Sequence, residues 1–231
     1  MSIELDYTPI ILAGGFGSRL RSVVSDRPKV LAEINGKPFI TFILNKLENE
    51  GFKNIILSTG YMGDMIKKTI GEEYKGLTIK YFKEDKPLGT GGALKNIGKF
   101  IKQKNLLVMN GDTLHNINTR NLIDSLKGDN DIILGIYKND ASRYGLLKID
   151  RNKLILSFNE KNNKNKSGLI NIGTYFLNKE NLLKYNDDIF SIENDYFPKR
   201  IKDKKLYVQI SRGKFIDIGI PEDYFKASKY I

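Results

Sequence analysis

The stretch from residue 10 to residue 29 constrains the fold more than any other part of the chain. A short apolar run, Ile10–Leu12, leads directly into a glycine-rich loop at residues 14–17. Glycine has no Cβ, so a backbone rich in it turns tightly and comes close to a ligand. A strand that ends in such a loop directs free backbone N–H groups at an anion. Arg19 and Lys29 add two positive charges, so the stretch favours a polyphosphate ligand.

The spacing of the glycines excludes two common phosphate-binding loops. A dinucleotide fingerprint needs G-x-G-x-x-G, but Leu20 stands where the third glycine would be. A P-loop needs G-x-x-x-x-G-K followed by serine or threonine, and the chain contains no such run. The loop therefore belongs to another kind of phosphate-binding unit.

Strand-like and helix-like segments alternate through the first half of the chain. The apolar patterns predict strands at Asn54–Thr59, Thr78–Phe82, Leu106–Met109 and Ile132–Tyr137, and helices at Lys37–Gly51, Met62–Ile70, Gly92–Phe100 and Thr119–Lys127. This order predicts an α/β fold with a mostly parallel, Rossmann-like sheet flanked by helices. Such sheets bind ligands at the carboxyl ends of their strands. We therefore expect the glycine loop and residues 110–112, which also follow an apolar strand, to meet in one crevice.

The second half of the chain changes character. Its strand-like segments are separated by short polar turns, which indicates antiparallel strands added to the parallel sheet and covering the crevice. These strands are predicted at Tyr144–Ile149, Leu154–Asn159 and Leu169–Leu177. Short helices are predicted at Glu180–Lys184 and Ile192–Lys202, and Pro221 is well placed to open a terminal helix through Tyr230.

Composition limits the classes of partner. The formal net charge of +11 makes nucleic acid a rival ligand. The lysines are scattered, however, and no recognisable module interleaves them with aromatic residues, so we expect no nucleic-acid binding. The chain has no cysteine, and hence no disulfide or thiolate metal site. It shows no secretory leader and no apolar run near the ~20 residues of a membrane span, so we expect a cytoplasmic protein without a membrane partner.

Two aspartates are candidate metal ligands. Asp112 and Asp217 each follow an apolar strand and adjoin a glycine. Aspartate at a strand end often caps the next turn, but Mg²⁺ typically binds one or two carboxylates together with substrate phosphates. The pair therefore suggests a magnesium site. His115, the only histidine, is interpreted as a surface or loop residue near the site.

Three motifs carry a resemblance to a known family. The run G-G-x-G-x-R-L…P-K over residues 14–29, PLGTGGAL over residues 87–94 and NGDT over residues 110–113 resemble the sugar-1-phosphate nucleotidylyltransferases in both content and order. The resemblance extends from Ile10 to Tyr224. Val30 departs from it, since many relatives have proline there, but Lys29 itself is retained.

The resemblance implies a role for each candidate site residue. The implied catalytic residues are Arg19, Lys29 and Asp112, with Mg²⁺ held by Asp112 and Asp217. The implied nucleotide-binding residues are Leu12, Ala13, Gly14, Gly15, Gly17, Glu84, Pro87, Gly89, Thr90 and Gly111. The implied sugar-phosphate-binding residues are Tyr144, Gly145, Glu160, Lys161, Asn171 and Gly173. Glu84 is assigned to the base because a carboxylate accepts from the N1–H and amino groups of guanine.

The resemblance also implies an activity and a domain plan. The activity is transfer of a nucleoside monophosphate from an NTP to a sugar 1-phosphate, foremost from GTP to a heptose 1-phosphate, in the supply of capsule or lipopolysaccharide precursors. A single domain, residues 1–231, would bind the nucleotide mainly through residues 1–140 and the sugar mainly through residues 141–231. Whether the protein forms a homo-oligomer stays an open question. Three alternatives remain: another family member, acting on mannose, glucose or N-acetylmuramate 1-phosphate or on phosphocholine with CTP; a catalytically silent nucleotide-sugar sensor; and nucleic-acid binding, which a steep salt dependence of binding to random DNA would support.

Overall fold

The computed structural model describes residues 7–119, 128–159 and 167–231. They fall into two compact units. The first comprises the chain up to Pro87 together with residues 108–116 and 214–231, and the second comprises residues 88–107 and 117–213. The predicted helix Thr119–Lys127 lies outside the described residues except for Thr119. The plan of one domain with halves meeting near residue 140 stays a prediction.

The elements follow one another as alternating strands and helices and then mainly strands. In chain order they are β1 (Ile10–Leu12), a 3-10 turn (Lys29–Leu31), β2 (Glu33–Ile34), β3 (Lys37–Pro38), α1 (Ile40–Asn49), β4 (Asn54–Thr59), α2 (Gly63–Ile70), β5 (Glu73–Tyr74), β6 (Leu77–Lys83), α3 (Gly89–Gly98), β7 (Asn105–Asn110), β8 (Thr113–His115), β9 (Asp131–Lys138), β10 (Leu146–Ile149), β11 (Ile155–Asn159), β12 (Gly168–Asn178), α4 (Lys179–Leu183), a π-helical turn (Ile192–Tyr196), α5 (Phe197–Lys202), β13 (Leu206–Ile210), β14 (Phe215–Asp217) and α6 (Pro221–Ala227).

The sheet of the first unit is parallel in all but its edge strand. β1 pairs in parallel with β4 and with the end of β7, and β4 pairs in parallel with β6. Only the short β5 runs antiparallel, beside β6. β1, β4 and β7 consist mainly of buried residues, most of which are apolar, because the middle strands of a parallel sheet are covered on both faces. β6 instead alternates buried and exposed residues along Leu77–Lys80. The prediction of a mostly parallel sheet is confirmed.

Helix α1 begins three residues later than predicted. β2 and β3 form a small antiparallel hairpin in front of it. Asn35 and Gly36 connect the two strands with φ values of 51° and 73°, and Asn-Gly is the preferred pair for such a turn because both positions need a positive φ. Ile40, Ile43, Leu44 and Leu47 then form the buried stripe of the helix, as the spacing predicted.

The sheet of the second unit is mainly antiparallel. Its order is β11–β10–β12–β9–β13, and only the last pair is parallel. β13 was not predicted from the sequence. A buried ion pair helps to hold α5 in this unit: the fully buried Asp131 carboxylate accepts hydrogen bonds from Arg200 Nε at 2.6 Å, Asn178 N at 2.7 Å and Tyr196 Oη at 2.9 Å. Within the described ranges, no helix combines the length and apolar character needed to cross a bilayer.

Candidate active site

The glycine loop and the segment after β7 leave neighbouring strands at the same edge of the sheet. Leu12, the last residue of β1, lies opposite Asn110, the last residue of β7. Gly111 N donates to Leu12 O at 2.9 Å. A Cβ on Gly111 would lie 2.7 Å from that same oxygen, so only glycine fits this approach. The predicted meeting of the two motifs is confirmed.

The glycine loop packs tightly against two of the predicted site residues. Gly17 has a φ of 62°, and a Cβ there would lie 3.2 Å from Lys29 Cβ. A Cβ on Gly14 would lie 3.2 Å from Glu84 Oε1. Ala13 is buried, and its N–H donates to Ser58 O at 2.8 Å. The loop is therefore held by β4 and leaves Glu84 and Lys29 beside it, whereas Gly15 and Arg19 are exposed.

Lys29 forms an ion pair with Asp112. The 3-10 turn that carries Lys29 is anchored by the buried side chains of Val30 and Leu31, and Lys29 Nζ contacts Asp112 Oδ2. Val30 packs close to Gly111, since a Cβ on that glycine would lie 2.9 Å from Val30 Cγ1. Valine at this position therefore supports the loop that carries Asp112.

A pair of short strands brings Asp112 and Asp217 together. β8 and β14 are antiparallel with Thr113 opposite Asp217, and Ile218 N donates to Asp112 O at 3.0 Å. A Cβ on Gly219 would lie 2.8 Å from Asp217 Oδ1 and 3.6 Å from Asp112 Oδ2. Oxygens of both carboxylates thus lie within 3.6 Å of the position that a Cβ at residue 219 would occupy, and glycine leaves that position without a side chain.

The electrostatics of the pair favour a bound cation. Burial and the negative charge of Asp112 raise the pKa of Asp217 to about 6, against the opposing effects of the Gly219 N–H, Lys29 and Arg19. Two carboxylates this close repel one another unless a positive charge lies between them. The donors are all oxygen, which suits Mg²⁺. In the described part of the chain no three His, Cys, Asp or Glu side chains are grouped to hold a metal.

Thr90 lies at the start of α3 in the second unit, where its hydroxyl group bonds to the π-helical turn. Gly89 has a φ of 72° and packs against the Phe190 backbone. Thr90 does not cap its helix, since the N-cap of α3 is Leu88 without a side-chain bond. Its Oγ1 accepts from Ile192 N at 2.8 Å and donates to Glu193 Oε2 at 3.0 Å. Pro87, which belongs to the first unit, is exposed.

Three of the residues predicted to bind sugar phosphate are connected by hydrogen bonds to Glu193. They are Gly145, Asn171 and Gly173. Asn171 N donates to Gly145 O at 3.1 Å, and Gly173 N donates to Asn171 Oδ1 at 2.9 Å. Asn171 Nδ2 donates to Tyr175 Oη at 3.0 Å, and Tyr175 Oη donates to Glu193 Oε1 at 3.1 Å. Burial raises the pKa of Glu193. Sequence reasoning missed Tyr175 and Glu193, because neither stands in a motif.

Of the other residues predicted to bind sugar phosphate, some lie within the described ranges and some outside them. Tyr144 is buried, and its hydroxyl accepts from Lys138 Nζ at 3.1 Å. A Cβ on Gly145 would lie 2.6 Å from the Phe158 ring. Glu160 and Lys161 lie outside the described residues.

The expectation for His115 is wrong. The residue is buried in β8 with 2% exposure. It faces Phe215 in the pairing of β8 with β14. The sequence could not show this, because β8 is formed only through its pairing with β14.

Comparison with known proteins gives the class of protein. The pattern of the Nucleotidyl transferase family matches residues 8–231, and the chain belongs to this family. The resemblance noted in the sequence is thereby confirmed.

Individual proteins similar to this chain give a narrower comparison than the family does. The chain is 42% identical over 228 residues to D-glycero-alpha-D-manno-heptose 1-phosphate guanylyltransferase of Aneurinibacillus thermoaerophilus, with 95% of this chain and 96% of that protein covered. It is also 42% identical to the protein of the same name from Campylobacter jejuni, with 94% and 96% covered. Among solved structures, HddC from Yersinia pseudotuberculosis complexed with GMP-PN superposes with a TM-score of 0.87 at 38% identity, covering 97% of this chain and 99% of that one.

Proposed function

We propose that this chain transfers GMP from GTP to D-glycero-α-D-manno-heptose 1-phosphate, with formation of GDP-heptose and pyrophosphate. The observation that carries the proposal is the convergence of Lys29 and Asp217 on Asp112, beside the glycine loop. A lysine and a pair of carboxylates at a phosphate-binding loop suit a reaction in which a polyphosphate is cleaved. The guanylyltransferases among its relatives favour GTP and a heptose phosphate as the substrates.

The glycine loop would bind the triphosphate of GTP. Its backbone N–H groups follow β1 at the edge where ligands of parallel sheets bind, and Arg19 and Lys29 supply positive charge. Glu84 stands against Gly14, where its carboxylate would accept from the N1–H and amino group of guanine. This arrangement would distinguish guanine from adenine, which offers no N1–H.

The transfer itself needs charge stabilisation more than a base. The second pKa of a phosphate monoester is about 6, so the attacking oxygen of the sugar phosphate is already ionised at neutral pH. That oxygen would form a bond to the α-phosphorus while the bond to pyrophosphate breaks. Lys29 and Arg19 would stabilise the negative charge on the leaving pyrophosphate.

Asp112 and Asp217 would hold Mg²⁺ in the space beside Gly219. When bound, the ion neutralises phosphate oxygens and orients the attacking and leaving groups. Lys29 would then contact phosphate in place of Asp112, because Lys29 and the ion would otherwise compete for the same carboxylate oxygen.

Sugar 1-phosphate would bind through the second unit. Asn171 and the Gly145 backbone carry donors and acceptors that suit sugar hydroxyls. Roles for Tyr144, Gly173, Glu160 and Lys161 stay predictions, as do the cytoplasmic location and a homo-oligomeric state.

The direct test is pyrophosphate release with each NTP and each of four sugar 1-phosphates: heptose, mannose, glucose and N-acetylmuramate. We expect kcat/KM to be highest for GTP with the heptose phosphate. A higher value for another pair would replace the substrate assignment, and binding without turnover for every pair would favour the nucleotide-sugar sensor.

Lys29 provides a sharper test of the mechanism. Lys29→Ala should lower kcat by about 100-fold or more, the scale found when one preorganised charge donor is removed. Lys37→Ala is a matched control, because Lys37 is an exposed residue in β3. We expect it to retain kcat within twofold. Near-normal turnover by the Lys29 variant would remove this lysine from the mechanism.

A further inference from the structure

A chain of directional hydrogen bonds centres on Glu193 in the second unit. Its Oε1 accepts from Tyr175 Oη, and its Oε2 accepts from Thr90 Oγ1 and from Ser191 Oγ at 3.2 Å. Burial raises the pKa of Glu193, and the hydrogen bonds from Thr90, Tyr175 and Ser191 oppose this effect and favour the ionised form. The ionised carboxylate only accepts hydrogen bonds, whereas a hydroxyl has a single proton to give. All three hydroxyl groups therefore direct their protons at Glu193.

The proton of Tyr175 decides how Asn171 is oriented. Because that proton points at Glu193, the Tyr175 oxygen faces Asn171 as an acceptor, and Asn171 Nδ2 donates to it at 3.0 Å. Gly173 N donates to Asn171 Oδ1 at 2.9 Å. The two bonds require the same orientation of the amide, so they reinforce one another.

A bulge in β12 makes this second bond available. The pairing of β12 with β9 shifts register between Asn171 and Tyr175, and Gly173 within the shift has a φ of 73°. A bulged residue leaves the regular ladder, and here the Gly173 N–H turns to the Asn171 side chain. Asn171 itself is partly exposed, and its amide has one N–H and one oxygen lone pair beyond these two hydrogen bonds.

We infer that Glu193 is a positioning residue that orients the Asn171 amide, through Tyr175, for the hydroxyl groups of the sugar 1-phosphate. The sugar part of this inference rests on the proposed function. Glu193 acts without touching the reacting atoms, and it joins Thr90 to Asn171 through hydrogen bonds.

The variant Glu193→Gln tests the direction of the chain. Glutamine replaces one of the two carboxylate oxygens with an NH₂ donor. One hydroxyl proton, from Tyr175, points at Oε1, whereas two, from Thr90 and Ser191, point at Oε2. The NH₂ group should therefore take the side of Tyr175, where it opposes fewer hydroxyl protons. The Tyr175 oxygen then accepts from Gln, and its proton turns to Asn171. The amide of Asn171 must flip to accept it, which leaves two donors facing one another at Gly173 N. We expect the KM for the sugar 1-phosphate to rise about tenfold, while the Kd for GTP stays within twofold.

A second substitution should reverse the effect. In Glu193→Gln with Tyr175→Phe there is no hydroxyl to drive the flip, so Gly173 N again holds the Asn171 oxygen. The KM should return to within about threefold of that of Tyr175→Phe alone. The same double variant buries a glutamine N–H without an acceptor, which is destabilising, so its unfolding midpoint should be the lowest of the set. Asp195→Asn is the matched control: it removes an acidic charge from the same turn without touching Tyr175 and should leave the KM within twofold.

The amide signal of Gly173 in ¹⁵N spectra gives a readout that needs no substrate. Its proton should shift upfield in Glu193→Gln, where the hydrogen bond is lost, and should return in the double variant. An unmoved Gly173 signal, or a KM that rises further in the double variant along with the loss of stability, would overturn the inference. Absence of turnover with every substrate pair would count against the proposed function instead, and the Gly173 signal would still decide whether Glu193 orients the amide.

Discussion

Replacing Asp217 with asparagine should stabilise the metal-free protein and abolish turnover. The carboxylate of Asp217 is buried and also lies beside that of Asp112, so its charged form is disfavoured without a cation, first by burial and then by repulsion. Asparagine keeps an oxygen for the hydrogen bond from Gly219 N, which measures 2.6 Å, and carries no charge. The substitution therefore removes the repulsion and retains the local geometry.

The size of the effect follows from the pKa. The native state raises the pKa of Asp217 from 3.8 to about 6, and each pKa unit corresponds to ~1.4 kcal/mol. Between these values the native state binds the proton more tightly than the unfolded state, so this group's contribution to stability is lost as the pH rises through 6. The variant should gain about 3 kcal/mol at pH 7.5 and only about 1 kcal/mol at pH 4.5. For a protein of this size, that corresponds to an unfolding midpoint higher by about 6–12 °C.

The measurement is urea unfolding in EDTA at pH 4.5 and pH 7.5, with Asp85→Asn as the control. Asp85 is exposed, so its replacement should change the free energy of unfolding by less than ~0.5 kcal/mol. A gain below 1 kcal/mol at pH 7.5, or an equal gain at both pH values, would refute the reasoning. Retention of metal-dependent turnover by the Asp217 variant would refute its role as a ligand.

Two other substitutions test the metal site and the buried ion pair of the second unit. Gly219→Ala would place a methyl group 2.8 Å from Asp217 Oδ1 and 3.6 Å from Asp112 Oδ2, so we expect the affinity for Mn²⁺, measured by electron paramagnetic resonance, to fall at least tenfold; unchanged affinity would place the ion elsewhere. Asp131→Asn would leave the buried Arg200 without its main counter-charge, and we expect a loss of about 3–5 kcal/mol in urea unfolding. A loss below 1 kcal/mol would show that the ion pair is dispensable.

Local sequence signals predicted much of the first unit. β4 and β1 were recognised as apolar runs, and α2 from its spacing, because these elements depend on neighbouring residues. The Asn35–Gly36 hairpin was missed although its signal was present, and it shortened α1. In the second unit, α3 begins three residues before the predicted start, at Gly89. Gly91 and Gly92 there pack against Phe190 and Asp188, a contact distant in sequence.

In the candidate site, residues that stand in motifs could be predicted from the sequence, and residues outside motifs could not. Gly17, Lys29 and Asp112 stand in motifs, and the structure brings Lys29 to the other two. Glu193 and Tyr175 stand in none, since a buried hydrogen-bond chain leaves no regular spacing in the sequence. Their partners lie on β12, on α3 and in the turn at residues 190–196.

The strand that ends in a glycine loop, with its two cations, could be predicted from local sequence, because glycine φ angles and an apolar run act over a few neighbouring residues. The sequence also predicted Asp112 and Asp217 as a pair of metal ligands, but their arrangement beside Gly219 and the burial of His115 are seen only in the folded chain. Both outcomes depend on the pairing of β8 with β14. Two three-residue strands have little preference for pairing on their own, so the folded unit around them sets their register.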